Sequence, residues 1–167
     1  MTRNIIWTTA LVTLAALIQS TLLSPLSVYF YAKPDIALDI LVFVAYMNGM
    51  MTGQLSGFFS GILLDFLSNA PLGLNMFVRT VIGAVGGLLN GAFLLDKIFL
   101  PAVLCAGATV LKACILFLLN RLFAGAVPAY TLGAPVFWVE LAMNVVLAPL
   151  VFALMKTIRG LTAGRKS

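Results

Sequence analysis

The sequence contains no histidine, the commonest metal ligand and general base. Acids are nearly as scarce, five against ten lysines and arginines, and charged residues make up only 9% of the chain. A soluble domain covers its surface with roughly a quarter charged residues, so this composition excludes one. The two cysteines, Cys105 and Cys114, fall on one predicted helix. Their separation along its axis is about 13 Å, beyond disulfide reach, which leaves them as packing residues. There is no nucleotide-binding glycine loop, no Ser/Lys or His-based nucleophile arrangement and no metal-ligand spacing, so no enzyme or cofactor is expected. The short alternating segments of a transmembrane barrel are missing too.

What remains is 62% apolar, gathered into long runs between short loops. In lipid every backbone polar group must be satisfied within the chain, and that leaves helices once barrels are excluded. The expected fold class is therefore all-α: a polytopic membrane protein with six transmembrane helices in one domain, residues 1–167. The net charge of +5 does not read as a nucleic-acid surface, because the basic residues flank apolar spans, where they set orientation.

The spans are placed at 5–23, 36–50, 52–67, 74–95, 98–122 and 136–158. Arg3 before an apolar run resembles a signal peptide, but the run is about 19 residues, long enough to cross, and has no small-x-small cleavage site. It is expected to be an uncleaved first helix. Tyr29, Phe30 and Tyr31 suit an interfacial belt ahead of Lys33-Pro34-Asp35. Residues 36–67 as one helix would measure about 48 Å against a hydrocarbon core of about 30 Å and would need a tilt of about 50°. Asn48-Gly49 supplies a turn signal that divides the stretch into two short helices, one of them tilted or partly re-entrant. The fourth span stops at Asp96-Lys97, the fifth carries Pro101 in its first turn, and Pro149 is expected to kink the sixth. Lys156, Arg159, Arg165 and Lys166, with Arg3 and Lys97, lie on one side of a six-span chain, against Lys33 and Arg121 on the other. Both termini are thus expected in the cytoplasm.

Two glycine ladders flank Pro71-Leu72-Gly73. Gly53, Gly57, Gly61 and Asp65 precede the loop in steps of four, and Arg79, Gly83, Gly87 and Gly91 follow it in the same step. Residues four apart share a helix face, so each segment carries a stripe of bare backbone that allows close helix approach. A hairpin centred on Leu72 would pair Gly53 with Gly91, Gly57 with Gly87, Gly61 with Gly83 and Asp65 with Arg79.

Five ionisable residues fall inside spans: Asp39, Asp65, Arg79, Lys112 and Glu140. Such groups are costly in lipid and face protein or a cavity. Asp39, Asp65, Arg79 and Glu140 lie within about 10 Å of the outer helix ends, and Lys112 lies nearer the midplane. Two readings are open: an outward-facing polar pocket or docking surface, or internal ion pairs that fix packing, with Asp65–Arg79 and Lys112–Glu140 as the pairs. Asn90 and Asn144 add polar groups within spans, Asn144 one turn from Glu140. With no acid in the inner half, a coupled ion pump is not expected.

The ordered run Lys33-Pro34-Asp35, Gly53, Gly57-Phe58, Gly61, Leu63-Leu64-Asp65 and Pro71-Leu72-Gly73-Leu74-Asn75 resembles the MreD family of bacterial rod shape-determining membrane proteins. The likeness is densest over residues 33–90. It implies an inner-membrane scaffold of the cell-elongation machinery that associates with the bitopic MreC. It also implies a link, through the partners, between MreB filaments and the peptidoglycan synthases RodA and its penicillin-binding transpeptidase. The implied fold is related to the substrate-binding subunits of energy-coupling-factor vitamin transporters. Pro34, Asp35, Gly57, Gly61, Asp65 and Gly73 carry over as motif positions, without assigned roles. The rival reading is a vitamin-binding subunit of such an importer. It would want small residues four apart on the first helix, a spacing Ala10, Ala15 and Ala16 do not have.

Overall fold

The computed structural model describes residues 2–22, 34–92, 99–123, 127, 130 and 133–158. Within them are six helices and no strand: α1 (Thr2–Leu22), α2 (Ile36–Asn48), α3 (Met50–Leu67), α4 (Leu74–Leu88), α5 (Phe99–Leu122) and α6 (Pro135–Thr157). The aromatic belt at Tyr29–Tyr31, Lys33, Asp96-Lys97, and the tail residues Arg159, Arg165 and Lys166 lie outside the described residues.

Two of the helices, α5 and α6, are long and apolar enough to cross a membrane, while α2, α4 and residues 5–21 of α1 are apolar but shorter. Burial is distributed as expected for a protein solvated by lipid. On α3 the buried residues are small or polar (Thr52, Gly53, Ser56, Gly57, Ser60, Gly61, Asp65), whereas Phe59 and Phe66 are exposed. On α1 Thr8, Val12, Ala16 and Gln19 turn inward while Ile6, Trp7, Leu14 and Ile18 face out. Large apolar side chains on the outside and small ones between helices are what association without a water-driven hydrophobic effect favours.

The centre of the bundle is α2. Every residue from Ala37 to Tyr46 is buried, and the helix touches each of the other five. Hydrophobic residues all round a helix mark it as internal, and Phe43 meets Phe152 of α6 edge-on with ring centroids 5.1 Å apart. The division between α2 and α3 falls at Gly49. Its φ of 87° is open to glycine at little steric cost, and its N–H still closes on Ala45 O at 2.8 Å.

α3 and α4 form the glycine hairpin, in a register other than the one expected. A Cβ on Gly53 would collide with the Gly83 carbonyl, one on Gly57 with the Arg79 carbonyl, one on Gly61 with Asn75 and Met76, and one on Gly87 with Met50. Gly53 therefore faces Gly83 instead of Gly91, a slide of eight residues along α4. α4 also ends at Leu88, short of residue 95. Gly91 sits beyond it in a turn at φ 73° with no atom within 4 Å of a Cβ position, so it takes no part in the packing.

The reason for the slide is Asp65. Its carboxylate accepts hydrogen bonds from Gly73 N (3.0 Å), Asn75 N (2.9 Å), Asn75 Nδ2 (3.0 Å) and Met76 N (3.1 Å). These backbone donors at the start of α4 have no partners within the helix, and the helix dipole favours a negative charge there. Asp65 thus caps α4 across the loop instead of pairing with Arg79. Equal steps in the two ladders left the offset undetermined by spacing, and capping decides it.

Candidate functional site

A polar cluster is built around Asp35, the residue immediately before α2. Asp35 is its N-cap: Oδ1 accepts from Leu38 N at 3.1 Å, the bond that Asp makes readily at this position. The same carboxylate also receives side chains from three other helices. Gln19 Nε2 of α1 lies 3.1 Å from Oδ1, Arg79 Nη2 of α4 2.6 Å from Oδ1, and Lys112 Nζ of α5 3.0 Å from Oδ2. Asn144 of α6 accepts from Asp35 N at 2.8 Å, and Gln19 Oε1 accepts from Ala37 N at 2.6 Å. One residue thereby joins α1, α2, α4, α5 and α6.

A second tier extends the cluster. Lys112 Nζ also lies 2.6 Å from Glu140 Oε1, and the Tyr130 hydroxyl donates to Glu140 Oε2. Burial, then the neighbouring Glu140 carboxylate, push the Tyr130 hydroxyl above its usual range, so it stays a donor. One turn deeper on α6, Asn144 Nδ2 donates to Thr109 Oγ1 at 3.0 Å, and Thr109 donates to Cys105 O at 2.9 Å. Two acids, Asp35 and Glu140, thus meet two cations, Arg79 and Lys112.

Of the five span residues singled out by sequence, Arg79, Lys112 and Glu140 come together here, and Lys112 and Glu140 form an ion pair. Asp65 does not join them, because it is committed to α4. Asp39 lies one turn along α2 from Asp35 and is fully buried, but it makes no ion pair among the described residues. The arrangement is one of internal ion pairs that cross-link helices. Sequence reasoning placed Asp35 only as a motif residue, and it overlooked Gln19 and Tyr130. A usable signal was present: Gln19 is a lone amide within an apolar span, and Pro34-Asp35 is a helix start.

A protein-family model described as rod shape-determining protein MreD matches residues 1–158. The chain belongs to the MreD family. Among curated proteins and solved structures, none matches it. Membership assigns the coarse role, a rod shape-determining membrane protein, and agrees with the apolar spans α5 and α6. Within this MreD-family chain the motif positions now have distinct structural work. Asp35 ties the helices together and Pro34 is buried before it. Gly57 and Gly61 admit the α4 backbone, Asp65 caps α4, and Gly73 turns the loop at φ 92°.

Proposed function

We propose that the protein is a non-enzymatic scaffold of the cell-elongation machinery in the bacterial inner membrane, which holds the single transmembrane helix of an MreC-type partner. Through that partner it helps couple MreB filaments to RodA and its penicillin-binding transpeptidase. In this reading all six helices lie in the membrane as a multi-pass domain, with both termini cytoplasmic. The fold is then related to that of the energy-coupling-factor substrate-binding subunits. Asp35 and Asp65 face the outer side.

The family match over residues 1–158 carries this reading. The structure supports it through rigidity: Asp35, Arg79, Lys112 and Glu140 form ion pairs between helices, and the α3–α4 backbones are in direct contact. Such a body can hold a partner's helix at a fixed angle. Co-purification tests it. The full chain and an MreC-type protein, co-expressed and extracted in mild detergent, should elute together; separate elution of two folded proteins would remove the main support. A vitamin-binding subunit would instead gain thermal stability from its ligand, as binding to the folded state requires, and the scaffold reading expects no such gain.

A further inference from the structure

Two neighbouring helices each bury a polar group that the cross-links leave unmet. On α4, Arg79 gives Nη2 to Asp35, but its Nη1 is buried with no acceptor among the described residues. On α2, Asp39 is 0% exposed, and neither carboxylate oxygen has a hydrogen-bond donor among the described residues. Cys105 of α5 faces it, but a thiol is a weak donor. Leaving such groups unmet in a buried site is costly, and a guanidinium is shaped to grip a carboxylate.

The two helices bring these groups to one level. α2 and α4 run side by side in the same direction: Arg79 meets Asp35 at the start of α2, and further along a Cβ on Gly86 would lie 3.3 Å from that of Ala45. Between these contacts Val42 and Ile82 line one cavity. Counting back equally along both helices puts Asp39 level with Arg79 or the next residue, Thr80. The Arg79 side chain therefore leaves α4 level with Asp39 and leans back one turn to Asp35, the direction in which helical side chains point. Asp35 and Asp39 are four residues apart and share a face of α2. Asp35 has further donors in Leu38 N, Gln19 and Lys112, whereas Asp39 has none among the described residues.

We propose that Arg79 has two seats on α2: Asp35, where it is bonded in this structure, and Asp39, one turn deeper. In the second seat Arg79 meets the acid that otherwise goes unpaired, while Gln19 and Lys112 still hold Asp35. The exchange keeps α4 tied to α2 while the clamp at the start of α2 gives up one of its helices. It is a conformational device within the bundle and does not depend on which partner the protein holds.

Side-chain NMR of the full chain in detergent, with nitrogen-labelled arginine, tests this. With Arg3, Arg121, Arg159 and Arg165 changed to lysine, Arg79 is the one arginine left and its guanidinium Nε–H signal is assigned. In that background Asp39→Asn should fix the signal at its Asp35-bound position, and Asp35→Asn should move it to a second position. Without either change the signal should be split between the two positions or averaged between them. A signal that coincides with that of Asp39→Asn would overturn the proposal. If Asp39→Asn does not fold, Asp39→Glu takes its place and must shift the signal; no shift would overturn the proposal too. Stability gives an independent reading. If Arg79 never reaches Asp39, Asp39→Asn removes a buried carboxylate without a partner and should stabilise the fold. With two seats it should instead weaken the folding equilibrium about tenfold, within the range for coupled residues, and the loss should vanish in an Arg79→Met background. A stabilising Asp39→Asn, or an equal loss in both backgrounds, would contradict the exchange.

Discussion

Asp35 combines two roles that separate in mutants. Asparagine caps a helix about as well as aspartate, so Asp35→Asn keeps the bond to Leu38 N but removes the charge facing Arg79 and Lys112; Asp35→Ala removes both. Because breaking a buried pair leaves the partner charge uncompensated, Asp35→Ala should cost about 3–5 kcal/mol. Asp35→Asn should recover only the capping share, about 1 kcal/mol. Thermal unfolding in detergent reads both, and a loss under 1 kcal/mol for Asp35→Ala would show that the ion pairs do not hold the bundle. Asp65 behaves differently. Asp65→Ala should cost about 1–2 kcal/mol, as loss of an N-cap does, with faster amide exchange confined to residues 73–76. Exchanging the charges of Asp65 and Arg79 should rescue nothing. A double mutant more stable than either single would restore the pairing that the structure replaces. The sequence made Lys112 and Glu140 legible as partners, since both are charged and both lie in apolar spans. It did not make Asp65 legible as a cap, because the donors it satisfies are backbone N–H groups, which carry no side-chain signature.

At the level of helices, periodicity and hydrophobic length locate the six helices among the described residues, α4 ending earlier than expected, and Asn48-Gly49 divides α2 from α3. They do not locate the register of the glycine hairpin. Two ladders with the same step slide past each other by whole turns without changing which faces meet, so the offset depends on how the loop closes. Gly91 then falls outside the contact, and α4 stops early because Leu89–Gly91 form a turn, with Asn90 N bonded to Gly87 O at 3.3 Å. Alanine substitution separates packing glycines from the rest. Gly57→Ala and Gly83→Ala each drive a methyl group into backbone and should cost about 1–3 kcal/mol or more, as overpacking does. Gly107 on α5 has open space at its Cβ position, so Gly107→Ala should be neutral or stabilising by about 0.5–1 kcal/mol, the helix-propensity gain. Equal losses at all three sites would mean that α3 and α4 are not in backbone contact.

For the molecule as a whole, the order is a buried central helix, a polar clamp at its N-terminus that joins four of the five surrounding helices, and a close-packed hairpin with the fifth. The family match supplies the biological context in which a stiff membrane body has use. In the proposed role this body holds an MreC-type partner, and co-elution of the two from detergent decides whether it does. Wild type should co-elute with the partner at a constant ratio across the peak, and Asp35→Ala, with its helices no longer clamped, should release it. A wild-type protein that is folded by its thermal transition yet elutes alone would show that it does not hold this partner.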